Sequence, residues 1–306
     1  MDRTFWCSNI AVAPEIPDTV VNMSGTFSEC QYLTNSPEIP NSVTRMDGTF
    51  EGCVRLESTP EFPRNLELLG GAFSGCVRLT TVKTLPDNLR SLKGTFRGCT
   101  SLTTIPSIPS GVEDLNYAFY GCSSLTTIPS LQQCNAEGLD ATFYECTSLV
   151  TAPTLPSNTI YMPNTFYGCT SLTTVTIPDR VESLTGTFCG CTSLTVGPSI
   201  PNSVGNISSL FKGCTSLTTA PTIPSNVRGL QDTFRDCQAL TGSLVVNMTD
   251  LKDCSDCLLG AVTNQGTSLV ISGTANTSIL NQIKDSAGTN NNITVSGSNQ
   301  GGGAKK

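Results

Sequence analysis

The chain has 306 residues, a formal net charge of −7 and no histidine. An acidic chain without a basic stripe does not fit nucleic-acid binding, and no apolar run is long enough to insert into a membrane. Because histidine is the commonest general base and metal ligand, its absence argues against an enzyme and against a bound cofactor.

Cysteines recur through most of the chain at intervals of 23 residues, with one interval of 24 and one of 22. In most copies a Phe precedes the Cys by three residues, a Leu follows it by three, and two prolines come later. Such regularity indicates a solenoid in which each unit forms one coil. The recurring cysteines are Cys7, Cys30, Cys53, Cys76, Cys99, Cys122, Cys146, Cys169, Cys191, Cys214 and Cys237.

Apolar residues at fixed positions of each unit predict columns of core side chains. We expect the cysteines to be buried, reduced thiols, because stacked coils would hold their Cβ vectors parallel, which suits a disulfide poorly. Two units illustrate the predicted core columns, namely Phe96, Cys99, Leu102 and Ile108 in one and Phe211, Cys214, Leu217 and Ile223 in the other.

The prolines indicate where strands end, because proline cannot donate to a β-ladder. We expect a short parallel strand from Leu102 to Ile108, closed off by Pro109. A second extended piece is predicted from Val112 to Leu115, and the Thr-Phe-x-Gly-Cys segment is predicted to be a tight helical or 3₁₀ turn.

The pattern changes after Cys237, where strand-like and helix-like segments alternate. Asn276 is a candidate N-cap for the second of two predicted helices. Strands are predicted at 243–247, 268–272 and 292–296, and helices at 250–262 and 277–286.

This change predicts three parts of the chain. Residues 1–240 form about eleven repeat coils, residues 241–297 a strand–helix cap, and residues 298–306 a flexible tail. We see no such cap before the first unit. Either Trp6 covers the open N-terminal face, or that face meets an upstream domain or another chain, which includes self-association.

The unit GTFxGCTSLTTxPxIPxxVxxL resembles the BspA-like leucine-rich repeats of bacterial and protozoan surface proteins, most clearly in residues 174–194, TVTIPDRVESLTGTFCGCTSL. The chain departs from that pattern in its second proline and in Thr before Phe. The resemblance implies an α/β repeat solenoid with right-handed 23-residue coils and parallel strands. It also implies extracellular display and adhesion, and it carries no catalytic residues.

Two functions remain open from the sequence. The first is a non-catalytic binding or adhesion module, extracellular or at a cell surface, whose repeat surface recognises a protein or glycan on another cell or particle. The alternative is a structural, decoration or host-attachment protein of a virion or other assembled particle or filament.

Two side-chain groups stand out as candidate sites. Glu15, Glu38 and Glu61 occupy the same position in successive coils, where they form either a row for a cation or basic partner or a solvated surface row. Cys254 and Cys257 form a C-x-x-C pair, which we interpret as packing, with a local disulfide as the alternative and no metal site expected.

Overall fold

The computed structural model describes residues 1–245, 251–266, 268–275 and 277–299. The repeats wind as stacked coils, and the β-bridges between neighbouring coils are all parallel. One ladder of bridges runs through successive coils and includes Asn22, Arg45, Leu68, Ser91 and Asp114. The repeat region is therefore a solenoid whose coils are joined by short parallel contacts.

The two extended pieces predicted within one unit have different outcomes. Asp114 lies within the predicted piece from Val112 to Leu115 and bridges to Ser91 of the preceding coil. The strand predicted from Leu102 to Ile108 is wrong, because the structure has neither strand nor bridge there. Pro106 has no N–H group, so this stretch cannot supply the unbroken run of backbone donors that a continuous strand needs. The equivalent stretch in other coils forms single bridges, such as Thr151 with Thr174.

The Thr-Phe-x-Gly-Cys segment is a hydrogen-bonded turn, but it is neither a helix nor a regular 3₁₀ turn. The Cys99 N–H donates to the Phe96 carbonyl at 3.0 Å, whereas the Phe96 N–H donates to Ala118 of the next coil at 2.9 Å. Gly94 and Gly98 have φ of 58° and 70°, which helical turns do not allow. Some N–H groups of the turn thus donate to carbonyls of the same turn and others to carbonyls of the next coil, so each turn is hydrogen-bonded both internally and to its neighbour.

The core consists of columns that run through the coils. Eleven Phe rings stack from Phe5 to Phe234, with neighbouring centroids 5.3–5.9 Å apart. Each coil thus buries apolar surface mainly against the coils on either side. The structure buries the eight illustrative core residues, which are Phe96, Cys99, Leu102, Ile108, Phe211, Cys214, Leu217 and Ile223.

The column cysteines are free thiols that act as hydrogen-bond donors inside the core. The Cys99 Sγ donates to the carbonyl of Phe73 in the preceding coil at 3.1 Å. Burial raises the pKa of Cys122 to about 12, so its thiol stays protonated at neutral pH. The column therefore combines small apolar volume with a donor for a buried carbonyl.

Cys7 does not belong to this column, contrary to the expectation from its spacing. Phe5 stacks on Phe27 at 5.4 Å and sets the register of the first coil. Ser8 then stands three residues after Phe, and its hydroxyl lies 3.3 Å from the Cys30 thiol. As a result Cys7 is exposed.

The C-terminal part forms a three-stranded parallel sheet in the order β1-β2-β3, with one helix. Asn276, the predicted N-cap, lies outside the described residues, as do residues 246 and 247 of the predicted strand at 243–247 and residues 300–306 of the predicted tail. Residues 298 and 299, predicted to begin the flexible tail, instead end the last strand. The elements are β1, Gly242–Val245; β2, Leu269–Ala275; α1, Thr277–Ala287; and β3, Ile293–Asn299.

The helix predicted at 250–262 is wrong for the residues that the structure describes, 251–262, which form another copy of the repeat turn. The Phe234 N–H donates to the carbonyl of Cys257 at 2.9 Å. Leu258 occupies the position of the repeat Phe and is buried. Hydrogen bonds from the preceding coil thus hold this segment in the turn conformation.

Helix α1 closes the C-terminal end of the turn column. Its Ser286 hydroxyl accepts the N–H of Leu258 at 2.6 Å. The Gln282 side chain accepts the N–H of Cys254 at 2.8 Å. These side chains replace the carbonyls that a following coil would supply to the turn.

Candidate binding surface

The turn segments present one continuous outer face, which we call the turn face. Each repeat Phe lies in the core, and the residues that directly follow it form a column along this face, in which Ser28 and Cys189 are buried and the other members are exposed or partly exposed. In chain order the column is Trp6, Ser28, Glu51, Ser74, Arg97, Tyr120, Tyr144, Tyr167, Cys189, Lys212 and Arg235.

Three consecutive members of this column form an aromatic strip, which we call the tyrosine strip: Tyr120, Tyr144 and Tyr167. Their ring centroids are 4.5 and 4.4 Å apart and their planes are parallel within 4°. All three side chains are partly exposed. Since the ring faces cover one another, the strip offers ring edges and hydroxyl groups to a ligand.

The surroundings of the tyrosine strip raise the pKa of two of its phenols. Partial burial, and next the neighbouring phenol of Tyr167, raise the pKa of Tyr144 to about 12. The thiol of Cys189, together with burial, raises the pKa of Tyr167. At neutral pH these two phenols are therefore uncharged hydroxyl groups that can donate and accept hydrogen bonds.

Cationic side chains stand at both ends of the tyrosine strip. The Arg97 guanidinium lies 5.0 Å from the ring centroid of Tyr120, within cation–π range. Beyond Cys189, Lys212 Nζ lies 3.7 Å from Asp232, which also pairs with Arg235 at 3.0 Å. The strip thus has a cation over one end and a network of both charge signs at the other.

Tyr117 and Asp140 extend the strip sideways. The Tyr117 hydroxyl donates to the Asp140 carboxylate at 2.7 Å, and this hydrogen bond raises the pKa of Tyr117. The Tyr117 ring lies 6.4 Å from Tyr120. None of these tyrosines was predicted from the sequence, although the recurring Phe-Tyr pair in AFYGC, TFYEC and TFYGC marks Tyr120, Tyr144 and Tyr167.

The predicted glutamate row lies on a different surface, formed by the proline-containing loops, which we call the proline face. Glu15, Glu38 and Glu61 are all exposed. Glu61 pairs with Lys83 at 3.1 Å, and with Glu38 both line a groove of about 480 Å³ between coils. An exposed ion pair of this kind contributes little stability. That the glutamate row binds a cation or a basic partner stays a prediction.

A larger groove lies further along the proline face. It has a volume of about 600 Å³ and is lined by Pro153, Pro178, Asp179 and Arg180, among others. No tyrosine or tryptophan lines it. It therefore lacks the aromatic contacts that the turn face offers.

Cys254 and Cys257 are buried free thiols in the last copy of the turn. A hydrogen bond to Cys257, and next burial, raise the pKa of Cys254. Among the described residues, no group of three or more His, Cys, Asp and Glu side chains is placed to hold a metal ion. No helix of the described chain is long and apolar enough to cross a membrane.

Solved structures that match the chain include leucine-rich repeat proteins of two bacteria. A leucine rich cell surface protein from Faecalibacterium prausnitzii is 22% identical, with a TM-score of 0.55, and the match covers 91% of this chain and 84% of that one. A leucine-rich repeat protein from Bacteroides ovatus is 22% identical, with a TM-score of 0.49 and coverage of 93% and 77%. The first of these supports a leucine-rich-repeat fold.

A search of curated protein sequences finds no match to the chain. The family model of the BspA type leucine rich repeat region matches with six copies, over residues 23–136, 71–195 and 116–241. These overlapping matches span well over half of the 306 residues. The chain therefore belongs to the family of BspA-type leucine-rich repeat proteins.

Proposed function

We propose that this chain is a non-catalytic binding and adhesion module, working at a cell surface or outside the cell, and that its turn face holds a protein or glycan. The observation that carries this proposal is the tyrosine strip with Arg97 at its end. Tyrosine and arginine are the side chains that interfaces favour, because they offer large contact areas with polar tips.

The stacked arrangement supports a binding role over a purely structural one. The core needs the Phe ladder, but the neighbouring outer column holds Ser28 and Ser74 in other coils without any change in the turn. Tyrosine at this position is thus not required by the fold. Each ring is also held between neighbours, so little side-chain entropy is lost when a ligand binds.

Other observations support a location at the cell surface and a non-catalytic function. Proteins with BspA-type repeats are typically surface binding modules, and the similar Faecalibacterium prausnitzii structure is described as a cell surface protein. The chain has no histidine, and burial raises the pKa of column thiols such as Cys169 to about 12, which makes them poor nucleophiles.

A variant of the tyrosine strip tests the proposal. Tyr120→Ser, Tyr144→Ser and Tyr167→Ser together remove the exposed aromatic surface and leave the Phe ladder intact. We expect roughly tenfold or greater loss of affinity for those extracellular proteins or glycans in an immobilised panel that bind the wild-type chain, measured by biolayer interferometry.

The matched control removes three exposed apolar side chains elsewhere, with Tyr32→Ser, Val150→Ser and Val196→Ser. We expect it to bind as the wild type does. Loss of binding in the control but not in the tyrosine variant would contradict the proposal, as would a wild-type chain that binds no member of the panel.

A further inference from the structure

A second feature of the turn face is a groove at the N-terminal end of the solenoid. The groove has a volume of about 650 Å³ and is separate from the tyrosine strip. Its wall includes Trp6, the only tryptophan of the chain, whose side chain is 59% exposed. An aromatic ring left this open beside a cavity is available to pack against a ligand.

Polar groups in the groove are held in place by one another. Arg45 Nη2 lies 3.4 Å from the Asp47 carboxylate, whose other oxygen accepts the Gly70 N–H at 2.9 Å. The Asn22 side-chain oxygen accepts the hydroxyl of Ser24 at 2.7 Å. Together with the exposed carboxylate of Glu51, these groups form a preorganised set of donors and acceptors.

Three glycines that line the groove each stand two residues before a repeat Phe. Gly25, Gly48 and Gly71 form its floor. In later coils the same position, with the same positive φ, carries the side chains of Tyr117 and Asn164. The backbone conformation at this position therefore tolerates larger residues, and the glycines leave the space of the groove free of side chains at their own positions.

The chemistry of the groove favours a neutral sugar over a peptide or a polyanion. The floor N–H groups of Gly25, Gly48 and Gly71 all donate to carbonyls of the next coil, so a peptide strand finds no free donors there. The two arginines of the lining are outnumbered by three carboxylates, which disfavours an anionic polymer.

We propose that this groove binds a neutral oligosaccharide, with a sugar ring packed on Trp6 and its hydroxyl groups bound by Asp47, Glu51 and Arg45. Sugars combine apolar C–H faces with closely spaced hydroxyl groups, which matches an aromatic wall beside carboxylate acceptors and a guanidinium donor. This inference deepens the proposed function, on which it rests, by naming a ligand class and a second site for it.

The single tryptophan provides the test, because its fluorescence reports on the groove alone. Soluble malto-, cello-, manno- and chito-oligosaccharides are titrated separately into the full chain, and Trp6 emission is recorded. We expect a saturable change with at least one series. Calorimetry with that series is expected to show a roughly tenfold or greater loss of affinity in Trp6→Ala.

A filling variant separates binding from folding. Gly71→Asn places a side chain in the groove, and a Cβ at Gly71 has no neighbouring atom within 4 Å. Asn164 occupies the equivalent position at φ 53°, so the fold accommodates the change. The control Ser209→Asn adds the same side chain to the same column outside the groove, at φ 56°.

We expect Gly71→Asn to lose saccharide binding and Ser209→Asn to retain it. The inference is overturned if no neutral series changes the emission of Trp6, or if Gly71→Asn binds as tightly as the wild type. The chain could fail to bind any neutral saccharide in the groove while the tyrosine-strip variant still loses affinity for the panel. That result would contradict saccharide binding in the groove and would not contradict the proposed function.

Discussion

At the scale of single residues, the cysteine column shows how one side chain meets two demands of a stacked coil. The position must be small and apolar, yet the carbonyl of the preceding Phe needs a donor. Cys76 meets both demands, since it is fully buried and its thiol donates to Phe50 at 3.1 Å. Buried threonines also donate to carbonyls of the preceding coil, as the Thr95 hydroxyl does to the Leu69 carbonyl at 2.9 Å.

Thiol labelling tests this arrangement. Of the 15 cysteines only Cys7 is exposed, so we expect one maleimide adduct on the native chain and fifteen after denaturation, counted by mass spectrometry. Buried thiols are out of reach of the reagent, and burial also raises the pKa of several of them, such as Cys122, so both effects suppress their reaction. Cys7→Ser is the control and is expected to take up no label in the native state. Rapid uptake of several labels by the folded chain would disprove the buried column.

At the scale of elements, structure that repeats with a fixed period could be predicted from the sequence. Structure that depends on contacts between coils could not. Helix α1 followed from the apolar spacing of Ile279, Leu280 and Ile283, which the structure buries. Residues 251–262 have a similar apolar spacing, but bonds from the preceding coil make them a turn. The tyrosine strip escaped prediction because outward positions carry no constraint from the core.

The C-terminal cap offers a test at this scale. Ser286→Ala removes the acceptor for the buried N–H of Leu258, and we expect a loss of about 1–3 kcal/mol in the free energy of unfolding, measured by urea denaturation. Lys284→Ala changes an exposed residue of the same helix and is expected to alter stability by no more than about 0.5 kcal/mol. Equal effects of the two substitutions would show that the helix does not cap the turn column in this way.

At the scale of the whole molecule, the stacking of the coils places each outward position of the repeat in a long column. The two surfaces built from these columns differ in chemistry. The turn face carries Trp6, Arg97 and the tyrosine strip, whereas the proline face carries grooves between loops and the exposed row that ends at Glu61. The core is common to both faces, so substitutions on either face leave the scaffold unchanged. We propose that the turn face, and not the proline face, binds the ligand.

Site-directed blocking of the two faces tests that claim most directly. In a Cys7→Ser background, Arg97→Cys places a reactive thiol on the turn face, and Arg64→Cys places one beside a groove on the proline face. Each variant is labelled with a polyethylene glycol maleimide, and its binding to a ligand of the wild-type chain is measured by interferometry. We expect the polymer at position 97 to abolish binding and the polymer at position 64 to leave binding intact. Binding that survives the label at position 97 and is lost with the label at position 64 would contradict the proposal.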